Sequence, residues 1–371
     1  MTKINKRPIH IIAEIGVNHN GKLSLAKKLI KEAKKSGANS VKFQTFNTDE
    51  IIKRNTSKAK YQIKNTNNKE SQYDMLKRYE LSNEDYKALI VYSKKVDIEF
   101  FSTACDIDSL TYLCKKLKLK TIKISSTDLT NIPLLLKAGA TRKKIIISSG
   151  MADIYEIDIA LSALSYGYAH ADNLDISKFK LIKHKKYYLK NKQYLSRKVT
   201  LLHCTTEYPA PLDELNLNVI TDFQSRYPTS IGYSDHSNNL LTPIVVTAKN
   251  ITMIEVHVTL NTTMDGPDHK CSLDMKKFSE YVDNIRKTEM MLGSPNKAPT
   301  KSEIQNIKTV RKSLVLNKSI VKGEKITVDN LAVKRPGNGI PSIHYTDYIN
   351  VVSKKILNKN HFLKKEDVKK K

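Results

Sequence analysis

Two histidines carry the most informative chemistry in this chain. His236 lies in Gly232-Tyr233-Ser234-Asp235-His236-Ser237, and His257 in Ile254-Glu255-Val256-His257-Val258-Thr259. Each closes a short apolar run that reads as a buried strand, and Gly266-Pro267-Asp268-His269 follows the second. Neutral imidazoles at the ends of consecutive strands can ligate one divalent ion. A lone strand-end histidine is more often a satisfied structural residue, but a pair beside Asp268 favours a metal. Lys42 and Lys123 also sit in apolar runs, where an unpaired ammonium is costly, so both call for an anionic partner. Serines and threonines near strand ends are weaker signals, since either can simply cap a helix.

The elements that must position these groups recur with a clear period. Apolar or β-branched runs at His10–Ile15, Ser40–Gln44, Glu99–Thr103, Thr121–Ile124, Lys144–Ser148, Val199–His203, Ser230–Ser234 and Ile251–His257 read as strands. Between them, Leu25, Leu29 and Ala33 fall one helical turn apart before Gly37, and Asn83–Val96 and Met275–Leu292 behave similarly. Strands alternating with helices in this number predict an α/β fold closed into a (β/α)₈ (TIM) barrel. Glu14, Lys42, Gln44, Thr103, Lys123, Ser126, Ser148, Ser234, His236 and His257 all fall at or just beyond strand C-termini, the face on which barrels build active sites.

The barrel is expected over residues 1–293, a linker over 294–310, and a small module over 311–371 with short runs at Ser313–Leu316 and Lys325–Val328. A module of that size is expected to dock on the barrel or on a second subunit. The connection between the second and third strands carries Asn65-Thr66-Asn67-Asn68-Lys69-Glu70-Ser71-Gln72-Tyr73, which reads as a surface excursion or lid. Ser177–Lys198 is rich in Lys and Arg, lacks acids, and interleaves Phe179, Tyr187, Tyr188 and Tyr194. Such composition can bind single-stranded nucleic acid, but a solvated insertion is the preferred reading.

Composition sets the outer bounds. The 371 residues carry a formal charge of +27 and are 40% hydrophobic, enough for a sizeable core. Abundant lysine, asparagine and isoleucine favour a lysine-rich solvated surface over a nucleic-acid partner, and a positive field steers anionic substrates inward. No apolar stretch approaches the roughly 20 residues of a membrane span. The basic start, Met1 to Pro8, does not continue as a secretory signal. Cys105, Cys114, Cys204 and Cys271 are scattered, as expected of reduced thiols in a cytoplasmic protein.

Taken in order, Ala13-Glu14-Ile15-Gly16-Val17-Asn18-His19-Asn20-Gly21, Val41-Lys42-Phe43-Gln44-Thr45, Lys123-Ile124-Ser125-Ser126 and Ser148-Ser149-Gly150-Met151 resemble the sialic acid (N-acetylneuraminate) synthases, a family that includes legionaminic acid synthases. So do Leu201-Leu202-His203-Cys204-Thr205-Thr206-Glu207-Tyr208-Pro209, Tyr233-Ser234-Asp235-His236 and Gly266-Pro267-Asp268-His269. Lys334-Arg335-Pro336-Gly337-Asn338-Gly339 resembles the antifreeze-like, or SAF, module that ends these enzymes. The resemblance implies condensation of phosphoenolpyruvate with an open-chain N-acylated amino sugar, release of phosphate, a divalent ion (Mn²⁺, or Mg²⁺ or Co²⁺) and a domain-swapped homodimer.

Residue by residue, the resemblance implies that His236 and His257 hold the metal. Lys42 and Lys123 bind the anionic groups of phosphoenolpyruvate, with Thr103, Ser126, Ser148 and Ser234 donating hydrogen bonds. Glu14 contacts the sugar and serves as general base for the water attacking C2; a structural ion pair with Lys42 or Lys123 is the plainer alternative. Gln44, Tyr208 and Asp268 hold sugar hydroxyls, and Arg335 of a partner's C-terminal module touches the N-acyl group. His19 and His203 pack or hydrogen-bond near the site. The chain departs from the family at Ser102-Thr103-Ala104-Cys105-Asp106, Ser126-Thr127-Asp128, Glu255-Val256-His257 and Leu260-Asn261. The expected acceptor is N-acetylmannosamine, giving N-acetylneuraminate. The alternative is a legionaminic acid synthase acting on a 6-deoxy diacetamido sugar; more distant are a Schiff-base aldolase using Lys42 or Lys123 and an RNA-binding module.

Overall fold

The structure, a computed structural model, describes residues 8–66 and 70–369. The residues before Pro8 that bear on a secretory signal, and Asn67–Lys69 of the polar excursion, lie outside the described residues. Two compact units divide the chain, Met1–Gly293 and Ser294–Lys371.

In the first unit, β1 (His10–Gly16), β2 (Ser40–Thr45), β3 (Glu99–Ala104), β4 (Thr121–Ile124), β5 (Lys144–Ser148), β6 (Val199–Cys204), β7 (Ser230–Asp235) and β8 (Met253–Thr259) pair in sequence order. All these pairings are parallel, and β8 pairs back to β1, which closes the barrel. A two-residue strand, β9 (Leu273–Asp274), extends β8. Alternation sorts each strand's residues. Ile11, Ala13 and Ile15 of β1 face the ring of helices and join the main core. Ile12, Phe101, Ile146, Leu202 and Met253 form a separate apolar plug within the barrel. A step of two residues along a strand returns to the same face. Immediately above the plug therefore come Glu14, Thr103, Ser148, Cys204 and Glu255, and above Glu255 comes His257. The apolar layer below gives the polar layer a dry floor.

The helices follow the expected stripes. Leu23–Lys35 buries Ala26, Leu29, Ile30 and Ala33, and Asn83–Lys95 starts from a capping box of Ser82 and Asp85. The basic insertion Ser177–Lys198 ends in a 15-residue helix, His184–Lys198, packed beside Ile154–Ala169. Its aromatics face that neighbour: Tyr187 and Phe179 lie against Tyr166, and Tyr194 stacks on Tyr168. The β2–β3 connection holds three short helices, Thr48–Ile51, Lys60–Thr66 and Gln72–Lys77. Among the described residues, no helix is long and apolar enough to cross a membrane.

The second unit is built on an antiparallel pair, β10 (Ser313–Leu316) and β11 (Leu331–Lys334), around Leu314, Leu316, Ile320, Ile326 and Leu363. Lys325–Val328, expected as a strand, makes only an isolated bridge from Lys325 to Val352. Residues 294–310, expected as a linker, include the helix Lys301–Val310, started by a capping box of Thr300 and Glu303. Gly337 N–H donates to Lys308 C=O, tying that helix to the loop after β11.

Candidate active site

A cavity of about 510 Å³ opens at the C-terminal end of the barrel. Every candidate site residue of the barrel lines it: Glu14, Lys42 and Gln44, Thr103 and Lys123, Ser126 and Ser148, Tyr208, Ser234 and His236, His257 and Asp268. Strand register does the assembling. Glu14 sits beside Lys42 on β2 and beside His257 on β8, Gln44 beside Thr103, and Thr103 beside Lys123. Arg335 belongs to the second unit, on the loop that follows β11.

The floor is a chain of alternating charge. Lys42 Nζ lies 2.9 Å from Glu14 Oε1 and 3.6 Å from Glu255 Oε1, and donates to Thr103 Oγ1 at 3.1 Å. Lys123 Nζ lies 3.6 Å from the same Glu255 oxygen, which also accepts from Ser234 Oγ at 3.2 Å. Glu14, Lys42, Lys123 and Glu255 are all buried. Burial would raise the Glu255 carboxyl, but Lys123 and Lys42 outweigh it and hold its pKa at about 2. Glu255 is thus a fixed anion shared by two ammoniums. The sequence reading did not assign it a role. The available signal was a carboxylate two residues before His257 in a buried strand, hence on the same face.

The two lysines differ. Burial works against the Lys42 charge, yet Glu14 and Glu255 raise its pKa above the ordinary value. For Lys123 burial wins, and its pKa falls. Glu14 is shifted upward mainly by burial, opposed by Lys42, while Gln44 Nε2 donates to its Oε1 at 3.0 Å. Asp268 is raised to about 7 by burial and by the Glu14 charge.

Above this floor the rings of His236 and His257 lie 5.4 Å apart between centroids, at 64° to one another. Tyr208 packs on both, 4.2 Å from His236 and 5.6 Å from His257. His236 Nδ1 is 2.7 Å from Thr205 C=O; donation there leaves Nε2 as the nitrogen that could ligate a cation once its own proton has gone. Burial opposes a charged His236, but Cys204 and the Thr205 carbonyl raise its pKa to about 9. Burial and His236 together keep His257 well below its ordinary value, hence neutral. Among the described residues, no group of three or more His, Cys, Asp or Glu side chains is arranged to hold a metal ion. His236 and His257 are the side chains here that could hold a cation.

Several buried polar atoms of the cavity lining have no hydrogen-bond partner: Glu14 Oε2, Glu255 Oε2, Ser148 Oγ, Thr206 Oγ1 and His257 Nδ1. Such atoms are costly to leave unsatisfied, and their convergence fits a polar ligand bearing both donors and acceptors. Gly150 N–H donates to Ser126 Oγ at 2.9 Å, and a Cβ at Gly150 would meet Thr206 Oγ1 at 2.0 Å, so backbone approaches the cavity closely there. Thr206 was also not assigned a role from the sequence. His19 and His203 are structural: His19 Nδ1 accepts from Gly21 N–H, and His203 Nε2 bonds Leu215 C=O.

Comparison with known proteins gives this arrangement a lineage. The NeuB family model matches residues 29–297 and the SAF domain model residues 311–369. The chain is 41% identical over 345 residues to an N,N'-diacetyllegionaminic acid synthase of Campylobacter jejuni, covering 93% of this chain and 96% of that one. It is 37% identical to the Legionella pneumophila protein of the same name, covering 89% and 86%. A solved N-acetylneuraminic acid (sialic acid) synthetase from Leptospira borgpetersenii, in complex with citrate, superposes with a TM-score of 0.65 at 29% identity, over 83% of this chain and 94% of that one.

Proposed function

Since this chain belongs to the NeuB family, we propose that it is a phosphoenolpyruvate-dependent nonulosonic acid synthase acting on a 6-deoxy diacetamido sugar, a reaction of the legionaminic type. The sequence motifs alone favoured N-acetylmannosamine. That preference gives way because the relatives named for the diacetyllegionaminic reaction share 41% and 37% of residues, against 29% for the sialic acid synthetase structure.

One observation carries the reaction class: two buried ammoniums, bridged by a single carboxylate, lie at the mouth of a closed barrel beside paired imidazoles. A buried ammonium needs an anion: Lys42 has Glu14 and a share of Glu255, whereas among the described residues Lys123 has as ion-pair partner only the Glu255 oxygen it shares with Lys42, which leaves room for a bound anion. Lys42 and Lys123 bind the carboxylate and phosphate of phosphoenolpyruvate. Ser126, Ser148 and Thr103 donate to its oxygens, with the neighbouring Thr206 hydroxyl filling the phosphate end. His236 and His257 would hold a divalent cation, which supplies Lewis-acid polarisation of the acceptor's carbonyl oxygen when bound. Gln44, Tyr208 and Asp268 orient the sugar.

The new bond joins C3 of phosphoenolpyruvate to the acceptor's carbonyl carbon. Water then adds at C2, and the C2–oxygen bond to phosphate breaks. Glu14, whose basicity is increased by burial, accepts the proton of that water. The dry floor of Ile12, Phe101, Ile146, Leu202 and Met253 limits competing solvent. Arg335 is assigned to the acceptor's N-acyl group, delivered from a partner subunit in a homodimer, and the enzyme works in the cytoplasm.

Phosphate release from phosphoenolpyruvate, followed with each acceptor in the presence of Mn²⁺ or of a chelator, tests this reading. Release that requires both an amino sugar and the cation supports it. Borohydride trapping of substrate on Lys42 or Lys123 would instead establish a Schiff-base aldolase.

A further inference from the structure

The cavity lining divides by origin. Strand ends and the loops just beyond them supply its carboxylates, ammoniums, imidazoles and hydroxyls. The β2–β3 connection supplies Phe46, Ile51, Ile52, Met75 and Leu76, so one wall is predominantly apolar. That wall has its own small core: Val17, Met75 and Tyr79 are buried together, with Phe46 and Leu76 packed against them. The connection's polar lining residues are Glu50, Gln62 and Gln72. Glu50 is exposed at the rim, and Gln62 Oε1 is occupied by Gln72 Nε2 at 3.1 Å and Ala59 N–H at 3.0 Å.

The wall is also held in register with the polar half. Asn65 Nδ2 donates to Pro267 C=O at 2.7 Å, and Lys270 Nζ donates to Asn65 C=O at 3.3 Å. Pro267 and Lys270 flank Asp268 on the loop after β8, so the apolar wall is fastened to the loop that carries a sugar-facing carboxylate.

We infer that this wall reads the acceptor's apolar substituents, and that Ile52 and Leu76 select a deoxygenated, N-acylated sugar over a fully hydroxylated one. The inference rests on the synthase reading above and deepens it. A hydroxyl set against Ile51, Ile52 and Leu76 gives up water and gains no partner, whereas a methyl group there gains apolar contact. A pocket of this kind discriminates by roughly 10- to 100-fold rather than absolutely.

The test uses Ile52→Asn and Leu76→Gln, both at half-buried positions, with Ile51→Thr, which keeps the β-branch and is one heavy atom smaller, as a milder third variant. For each, kcat/KM is measured with a 6-deoxy diacetamido sugar and with N-acetylmannosamine, at saturating phosphoenolpyruvate and Mn²⁺. Wild-type enzyme prefers the deoxy sugar by about tenfold or more. The polar variants lower that ratio by about tenfold, and Ile51→Thr shifts it a few-fold the same way, with KM for phosphoenolpyruvate unchanged. A ratio that stays constant in all three, or both acceptors weakened equally, overturns the inference. Wild-type preference for N-acetylmannosamine overturns it too while leaving the synthase class standing. Turnover of neither acceptor overturns the synthase reading, and the inference with it.

Discussion

Lys42 and Lys123 share Glu255, yet replacing each by methionine has opposite consequences for stability. Lys42 sits 2.9 Å from Glu14 and 3.6 Å from Glu255, and its folded-state pKa lies above the ordinary 10.5. Its charge therefore stabilises the fold fully below that ordinary value, and the contribution is lost only as pH rises through the raised folded value. Lys42→Met strips Glu14 of its cation, and breaking a buried pair from one side costs about 3–5 kcal/mol. At about 2–4 °C per kcal/mol, the barrel should melt roughly 6–20 °C lower. Lys123 has only Glu255, at 3.6 Å, and burial leaves its pKa below 10.5. Its charge therefore opposes folding at neutral pH, and the penalty fades as pH rises from the lowered folded value to the ordinary one. In Lys123→Met, Lys42 stays 3.6 Å from Glu255 while also serving Glu14, so Glu255 keeps a cation, the desolvation of Lys123 is relieved, and the variant should melt at or above the wild-type temperature. Catalysis responds alike in both variants. Losing a buried ammonium from a bound anion costs about 2–5 kcal/mol, or about 30- to several-thousand-fold in kcat/KM for phosphoenolpyruvate. Calorimetry at neutral pH, paired with phosphate-release kinetics, reads both quantities. A Lys123→Met protein destabilised by more than about 2 kcal/mol, or one that keeps its affinity for phosphoenolpyruvate, would refute the reasoning.

Three further outcomes are expected. The helices Ile132–Ala140 and Ile154–Ala169 touch through glycines: a Cβ at Gly139 would lie 2.3 Å from Leu164 O, and one at Gly167 2.2 Å from Leu136 O. Gly139→Ala should accordingly cost more than about 2 kcal/mol in chemical denaturation, because backbone must move. In the second unit, buried Asp367 accepts from His361 Nε2 at 2.7 Å and Lys364 N–H at 2.8 Å, with Lys355 Nζ 2.8 Å away. Burial is outweighed by these partners and the carboxyl is held below its ordinary 3.8, so Asp367→Asn should lose about 1.5–3 kcal/mol of that unit's stability. The advantage of wild type over Asp367→Asn should shrink in melts as pH falls below about 4 through the depressed folded value. Finally, Arg335→Ala should raise KM for the amino sugar and spare that for phosphoenolpyruvate. Mixing it with inactive Lys123→Met should restore about a quarter of wild-type activity if Arg335 crosses between subunits (a statistical dimer mixture), and none if each subunit serves its own site.

Much of this was legible because the barrel repeats one rule. Alternation and β-branching marked each of its strands, and ionisable residues at their C-terminal ends marked the open face. Glu255 escaped because its meaning depends on register: only when β2, β4 and β8 converge do two lysines far apart in sequence meet on one carboxylate. The β2–β3 connection read as polar surface because Asn, Lys and Gln dominate Asn65–Tyr73. Its Met75, Leu76, Ile51 and Ile52 are too scattered to show a period, and find one another through tertiary packing. The helix Lys301–Val310 has no buried residues, so no stripe announced it; the Thr300–Glu303 capping box was its available signal. The basic segment, read as a solvated insertion, does expose its lysines, while Phe179, Tyr187 and Tyr194 pack on Ile154–Ala169, a contact that its composition did not announce.

The way the β2–β3 connection is fastened has an evolutionary consequence. Its short helices meet the rest of the barrel at Asn65, bonded to the loop after β8, and at Met75 and Tyr79, packed with Val17 after β1. Glu14, Lys42, Lys123 and His257, to which the condensation is assigned in our proposal, hang instead from the hydrogen-bonded staves themselves. Grafting residues 46–82 from one relative into another should therefore transplant appetite for a different sugar without rebuilding the engine beneath.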